Sequence, residues 1–313
     1  MSQLTIGTSV DRQSFQGGTH ANRIVVVGSD SFAESVAAVL HEWSALGASH
    51  RGFTPIAQIV RIESPDDLMS DGLADAPRIH SARPVEAVDA VSRLLQRVPL
   101  QLLSVEPRIA DALVKPQNRT TYAVAKRSLD IAATVLLGLV ALLLLPVIAV
   151  AIRIDSPGPV FYRQTRVGRY GRHFQIHKFR TMRRDAEAHG AVYAALNDAR
   201  ITRVGRLLRR TRTDELPQLW NILRGEMSLI GPRPERPENV ALLEEHLPGF
   251  AIRTRMRPGL TGWAQVCYRY AGTIEQTGKK LEYDLYYVKN ASLAFDVKIL
   301  MRTVKVVFGF QGQ

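Results

Sequence analysis

The chain has 313 residues, 46% of them apolar, with no low-complexity bias; this is a globular composition with room for about two domains, each able to bury a core. Forty-one Lys and Arg against 29 Asp and Glu give a formal charge of +12, which favours anionic partners: nucleic acid, acidic lipid or phosphorylated small molecules. The single cysteine, Cys267, excludes an intramolecular disulfide and a cysteine-based metal site, and fits a reducing compartment.

The first stretch, MSQLTIGTSVDRQS, has neither an apolar core nor a basic leader, so residues 1–21 read as a disordered tail and not as a secretory signal. Residues 22–112 read as a small Rossmann-like α/β domain. RIVVVG is a short apolar run ending in glycine, hence a buried strand. SFAESVAAVLHEW has helical spacing, with Phe32, Val36, Val39 and Leu40 on one face. FTPIAQIVRI predicts a second strand, PVEAVDAVSRLLQRV a second helix and LQLLSVE a third strand; the alternation argues for a parallel sheet. The first turn, GSDSFA, lacks the second glycine of a dinucleotide fingerprint, so a structural or regulatory role is favoured over nucleotide binding.

Residues 113–121 read as a linker and 122–313 as a second, membrane-associated domain. Ile131 to Ile152 carries no charge over about 22 residues, or about 33 Å of helix, enough to cross a bilayer. The soluble alternative is a wholly buried core helix. Both flanks are basic: Lys126 and Arg127 precede the segment, and Arg153, Arg163, Arg166, Arg169 and Arg172 follow it. Because positive charge prefers the cytoplasm, a simple span puts one flank on the wrong side. Pro146 removes an N–H and leaves the Leu142 carbonyl without its helical partner. A helix-break-helix hairpin with both ends in the cytosol satisfies both observations; a kinked span is the alternative.

From Arg153 to Arg212 there are 15 Lys and Arg against four Asp and Glu, nearly the whole charge excess of the protein. Such a surface suits anionic headgroups, at about 1 kcal/mol per cation. It also suits nucleic acid, but no helix-turn-helix, zinc or RNP-like pattern accompanies it. Near the C-terminus, Leu293, Val297, Leu300, Val304 and Phe308 recur at helical spacing with Lys298, Arg302 and Lys305 on other faces, which fits a helix lying in the membrane interface and equally an ordinary core-packing helix.

The chemistry concentrates at RTRTDELPQLWN. TRVGRLLRRTR predicts a basic helix, followed by a second helix whose apolar face is Leu216, Leu219, Trp220 and Leu223 and whose stop is Gly225. Asp214 and Glu215 fall at the start of that second helix, where a capping aspartate is the ordinary explanation. Arg209, Arg210 and Arg212 are expected to hold both carboxylates ionised, and an ionised aspartate can attack phosphorus to form an acyl phosphate. GPRPERP holds Arg233 between prolines, and RPGLTGWAQV is a Pro-Gly turn followed by an apolar strand-like run; arginines on restricted backbones suit an oriented anion site.

Taken together, KRSLDIAA, the stretch from LPVIAVAIRIDSPGPVFYRQTRVG to HKFRTM, TRVGRLLRRTRTDELPQLWNILRGEMSLIGPRPE, RPGLTGWAQV and DLYYVKNASLAFDVKIL resemble the bacterial sugar transferases, polyprenyl-phosphate glycosyl-1-phosphate transferases that initiate exopolysaccharide and O-antigen synthesis. The resemblance covers about Tyr122 to Phe308. It implies transfer of a sugar-1-phosphate from a UDP-sugar to undecaprenyl phosphate with release of UMP, through a phosphosugar on Asp214, with Glu215 as partner carboxylate. It further implies phosphate or substrate binding by Lys178, Arg209, Arg233 and Arg269, and Mg2+ held near Asp214. The implied fold is a mainly α, α+β catalytic domain with a re-entrant helix broken at Pro146 and amphipathic helices in the interface. The implied place is the cytoplasmic face of the inner membrane, among anionic lipids, with both termini cytoplasmic and no nucleic-acid partner; a homodimer is left open. Two residues depart from the family pattern: Leu145 stands where many members have serine before the proline, and Thr213 where leucine often precedes the dyad. Long members carry four membrane spans and an α/β domain ahead of the catalytic part; the first hundred residues here loosely resemble only that α/β domain.

Overall fold

The computed structural model describes residues 5–9, 22–27, 31–46, 56–62, 84–105, 120–184, 186, 198–268 and 272–308. The chain divides into two compact units, Met1–Lys115 and Pro116–Gln313.

In the first unit, strands β1 (Thr5–Ser9), β2 (Asn22–Val27) and β3 (Ile56–Ile62) form a sheet in that order, and helices α1 (Ser31–Leu46), α2 (Pro84–Leu95) and α3 (Leu100–Val105) accompany it. β2 pairs parallel with β3, as a strand–helix–strand unit requires. β1 pairs antiparallel with β2, from Thr5 opposite Val27 to Ser9 opposite Arg23, so the sheet is mixed. Two readings are corrected. Thr5–Ser9 is an edge strand where the sequence suggested a tail, and LQLLSVE is helix α3, not a third strand. That run contains one β-branched residue among good helix formers, and Ser104 Oγ donates to the Leu100 carbonyl one turn back at 3.0 Å. Val36, Val39 and Leu40 of α1, Val88, Val91 and Leu95 of α2, and Leu102 and Leu103 of α3 are buried.

The second unit is mostly helical, with two small two-stranded sheets. It opens with α4 (Thr120–Asp155), 36 residues long. Among the described residues this is the helix long and apolar enough to cross a membrane. Its burial pattern is inverted relative to a soluble helix: Lys126, Asp130 and Thr134 are buried, while Leu142 is 66% and Leu143 77% exposed. A wholly buried core helix is thereby excluded. Pro146 lies inside α4 and does not divide it into two helices, so the expected break is not seen as such. A proline removes one hydrogen bond from the ladder, and long apolar helices tolerate that loss when neighbouring structure supports them.

Both ends of α4 dock on the same folded body. Near its start, Lys126 Nζ meets Asp296 Oδ2 at 3.0 Å, Arg127 donates to the carbonyls of Ile222 and Leu223 at 2.6 and 2.8 Å, and Asp130 accepts from the Leu229 N–H at 3.1 Å. Near its end, Leu145, Ile148 and Ala149 pack on a cluster of Ile152, Val160, Phe179 and Leu208, and Asp155 accepts from the Val204 N–H at 2.7 Å.

β4 (Phe161–Val167) and β5 (His173–Phe179) form an antiparallel hairpin with Phe161 opposite Phe179. α5 (Arg203–Arg210) follows, then a short 3-10 turn (Thr213–Glu215) and α6 (Gln218–Leu223). β6 (Ser228–Ile230) pairs parallel with β7 (Gly259–Thr261), with α7 (Pro237–His246) between them. α8 (Trp263–Cys267), α9 (Ile274–Asn290) and α10 (Leu293–Phe308) complete the unit. WAQV is therefore helical and not a strand; the Tyr268 N–H closes its last turn on the Ala264 carbonyl at 2.8 Å. The main core gathers Phe174, Ile176, Leu219, Ile222, Met227, Leu229, Trp263, Tyr287 and Ile299 around these elements. On α10, Asp296 and Ile299 turn inward and Leu300 packs partly buried against the core, while Leu293, Val297, Met301 and Val304 are exposed; of the stripe noted in the sequence, Leu293, Val297 and Val304 thus face away from the core.

Candidate active site

Asp214 and Glu215 occupy the 3-10 turn between α5 and α6. Arg212 precedes them in the left-handed conformation, φ 58°, which reverses the chain and turns both carboxylates inward; they are 7% and 6% exposed. Asp214 does not cap α6: that helix starts at Gln218 with Pro217 at its N-cap, and no side-chain cap is made. The capping explanation is set aside on this geometry.

The two carboxylates have different surroundings. Glu215 Oε1 accepts from Lys178 Nζ at 2.9 Å and from an Arg233 terminal nitrogen at 2.8 Å. Lys178 is carried by β5, next to the hairpin's end. Arg233 lies just past β6, where the Gly231 N–H donates to Thr261 O and the Gly259 N–H to Pro232 O, both at 2.9 Å. A side chain on Gly259 would collide with the Gly231 backbone, so glycine is what permits these two loops to lie this close. Arg253, itself paired with Asp284 at 2.8 Å, donates to the Arg233 carbonyl at 2.6 Å and fixes that loop from behind. Asp214, by contrast, accepts no hydrogen bond and makes no ion pair among the described residues.

These surroundings separate the two acidities. Burial pushes the Asp214 carboxyl up, the adjacent Glu215 charge pushes it further, and Lys178, Arg209 and Arg212 only partly compensate; the result is a rise from 3.8 to about 6. Burial alone would also raise Glu215, but Arg233 and Lys178 override it and hold that carboxyl well below its ordinary value. The sequence expectation that Arg209, Arg210 and Arg212 hold both carboxylates ionised at neutral pH meets two different environments. Glu215 is held ionised, by Arg233 and Lys178, and Asp214 is left as a buried carboxylate whose acidity is raised toward neutral pH despite Lys178, Arg209 and Arg212.

Arg209, in the last turn of α5, donates from Nε to Thr181 Oγ1 at 2.8 Å, and its charge acts on Asp214. α5 lies directly on the Thr181 backbone, because Gly205 offers no side chain there: a Cβ would run into the Thr181 carbonyl. Of the residues singled out in the sequence, Asp214, Glu215, Lys178, Arg209 and Arg233 thus converge. Arg269 falls outside the described residues, and Pro146 belongs to α4. Lys178 and Arg233, expected to bind phosphate, both engage Glu215. Thr181 was not singled out, although its hydroxyl within HKFRTM is the signal that marks it.

The model of the bacterial sugar transferase family matches residues 121–310, more than half of the chain. The chain belongs to the bacterial sugar transferase family. Among its similar relatives is the UDP-N-acetylgalactosamine-undecaprenyl-phosphate N-acetylgalactosaminephosphotransferase of Aeromonas hydrophila, 40% identical over 269 residues, 85% of this chain and 62% of that one. Another is the UDP-glucose:undecaprenyl-phosphate glucose-1-phosphate transferase of Caulobacter vibrioides, 42% identical over 206 residues, 65% of this chain and 75% of that one. A protein of the same description from Escherichia coli is 42% identical over 184 residues, 57% of this chain and 39% of that one. The chain thus spans 62% of the Aeromonas relative's length and 39% of the Escherichia coli relative's. In this sugar transferase the converging residues all fall inside the matched region.

Proposed function

We propose that this sugar transferase moves a sugar-1-phosphate from a UDP-sugar to undecaprenyl phosphate, releasing UMP, as the first membrane step of exopolysaccharide, capsule or O-antigen synthesis. The reading rests on one observation above all. Asp214 is a buried carboxylate with no hydrogen bond or ion pair among the described residues, beside a Glu215 already pinned by Lys178 and Arg233. The relatives, named for UDP-sugar and undecaprenyl-phosphate substrates, support the substrate pair.

In the proposed chemistry an Asp214 carboxylate oxygen attacks the phosphorus that carries the sugar. The bond to the bridging oxygen breaks, and UMP departs with its electron pair. A phosphosugar is left on Asp214. An oxygen of undecaprenyl phosphate then attacks the same phosphorus, and the Asp214 carboxylate leaves unchanged. Buried and shielded from competing hydrogen bonds, Asp214 keeps its lone pairs available. Glu215, locked by two cations, holds Lys178 and Arg233 in place, and Arg209 presents positive charge toward the incoming phosphates.

Mg2+ fits the donor set. The ion takes one or two protein carboxylates and completes its shell with phosphate oxygens and water. Asp214 is such a carboxylate, and no group of three or more His, Cys, Asp or Glu able to hold a metal occurs among the described residues. When bound, the ion would neutralise the diphosphate and ease the departure of UMP.

The same proposal places the enzyme at the cytoplasmic face of the inner membrane, with α4 re-entrant. Charged anchors near both ends of α4 dock on one polar body, whereas a simple span would send one end across the bilayer. The exposed stripe of α10 and the exposed Leu207 among the arginines of α5 suit the interface of an anionic leaflet. The N-terminal unit is read as Rossmann-like from its β2–α1–β3 segment. The test is release of UMP from a panel of UDP-sugars in the presence of undecaprenyl phosphate and Mg2+. Turnover with at least one donor is expected; no UMP from any donor, with folded and membrane-inserted protein, would refute the proposal.

A further inference from the structure

Asn221 is fully buried in the middle of α6, a polar residue on a helix otherwise packed through Leu219 and Ile222. Its carboxamide is completely used. Oδ1 accepts from the backbone N–H of His177 at 3.1 Å, and Nδ2 donates to the backbone carbonyl of Gln175 at 2.6 Å and to Glu226 Oε2 at 2.7 Å. Gln175 and His177 are both on β5, whose partner β4 takes the other edge. One side-chain amide therefore does for β5 what a third strand would do. It pairs an N–H and a C=O two residues apart on the open edge.

The consequence lies one residue further along. Lys178 follows His177 on β5, and its ammonium meets Glu215, in the turn that leads into α6. Asn221 is on that same helix. It thus ties the strand that carries the cation to the helix continuous with the carboxylate pair. Without the tie, the open edge of β5 loses its backbone hydrogen bonds to α6 among the described residues, leaving apolar packing and the Lys178–Glu215 pair to set its height. We infer that Asn221 is a positioning residue: it acts through β5 to hold Lys178 against Glu215 and so sets the geometry around Asp214. This rests on the reading of Asp214 and Glu215 as the reacting pair. A displacement of about 1 Å at such a pair is enough to cost about a hundredfold in rate.

The test compares Asn221→Ala, which removes all three hydrogen bonds, with the near-isosteric Asn221→Asp, which keeps an acceptor for His177 but loses both donations. Turnover is measured per folded molecule, together with KM for the UDP-sugar and amide exchange at His177. Expected are a fall in kcat of about tenfold or more in the alanine variant, at least as large a fall in the aspartate variant, whose buried carboxylate faces the Gln175 carbonyl and Glu226, KM within about threefold of wild type, and exchange at His177 faster by about tenfold or more in the alanine variant. A purely structural role would lower the folded fraction and leave kcat per folded molecule unchanged, and that result in both variants would overturn the inference. If alanine prevents folding, Asn221→Ser, small, polar and uncharged, decides by the same criterion. His177 exchange is independent of turnover: unchanged exchange overturns the tie even if the wild-type protein releases no UMP, an outcome that would sink the functional proposal instead.

Discussion

Replacing Asp214 by asparagine separates chemistry from stability in opposite directions. The carboxyl is 7% exposed and its pKa rises from 3.8 to about 6 on folding. A raised acid means that the folded protein holds the proton more tightly than the unfolded chain does. Below about pH 4 both states are protonated and folding carries no penalty from this group. Between about 4 and 6 the unfolded chain ionises first, and stability falls as pH rises. Above about 6 the penalty is complete, about 3 kcal/mol. Asparagine cannot ionise, so at pH 7 the variant should be more stable than wild type by up to about 3 kcal/mol. The gap should close as pH is lowered to about 4. It should also lose turnover while remaining membrane-associated, since an amide is a far poorer nucleophile toward phosphorus. The assay is denaturant or thermal unfolding in detergent across pH 4–8, paired with UMP release. Wild-type-like turnover would refute the role given to Asp214; a variant less stable than wild type at pH 7 would refute the electrostatics.

The remaining predictions concern the same site and its setting. Because Asp214 must be ionised to attack, kcat/KM should fall as pH drops below about 6, and raising Mg2+ should move that limb to lower pH; a rate flat down to pH 5 at limiting Mg2+ contradicts the proposed nucleophile. Gly205→Ala forces α5 off the Thr181 backbone and should cost about 1–3 kcal/mol of stability and break the Arg209–Thr181 hydrogen bond, with a clear loss of kcat/KM. Gly138→Ala, with open space around it on α4, serves as the control and should be neutral. Tags at the two termini should both be reachable from the cytoplasm alone; one periplasmic terminus would remove the re-entrant reading of α4.

What the sequence could and could not disclose follows from the range of the forces involved. The apolar segment was legible because composition alone marks it, and β2, α1, β3, α2 and α5 were legible from local spacing. LQLLSVE and WAQV were misread as strands because a short apolar run has no period of its own; their helical turns are decided by packing and by Leu, Ala and Gln favouring helix. The docking of both ends of α4 depends on residues about 50 to 170 positions away, such as Asp296 for Lys126 and Val204 for Asp155. Pairing rules based on spacing do not reach that far. The dyad itself was evident from its adjacency, yet the division of labour within it was not. Lys178 and Arg233 both choose Glu215, and only the folded geometry shows that this leaves Asp214 without a hydrogen bond or ion pair among the described residues. Asn221 went unremarked for the related reason that its partners are backbone groups of a strand more than 40 residues earlier.

The most direct test of the central claim is a trapping experiment. Membrane-inserted protein is incubated with UDP-sugar labelled in the phosphate next to the sugar, without undecaprenyl phosphate, then quenched and digested. The account predicts a sugar-phosphate adduct on the peptide containing Asp214, absent from the Asp214→Asn variant and discharged when the lipid acceptor is added. Absence of label from that peptide in protein that turns over normally with acceptor present would contradict it.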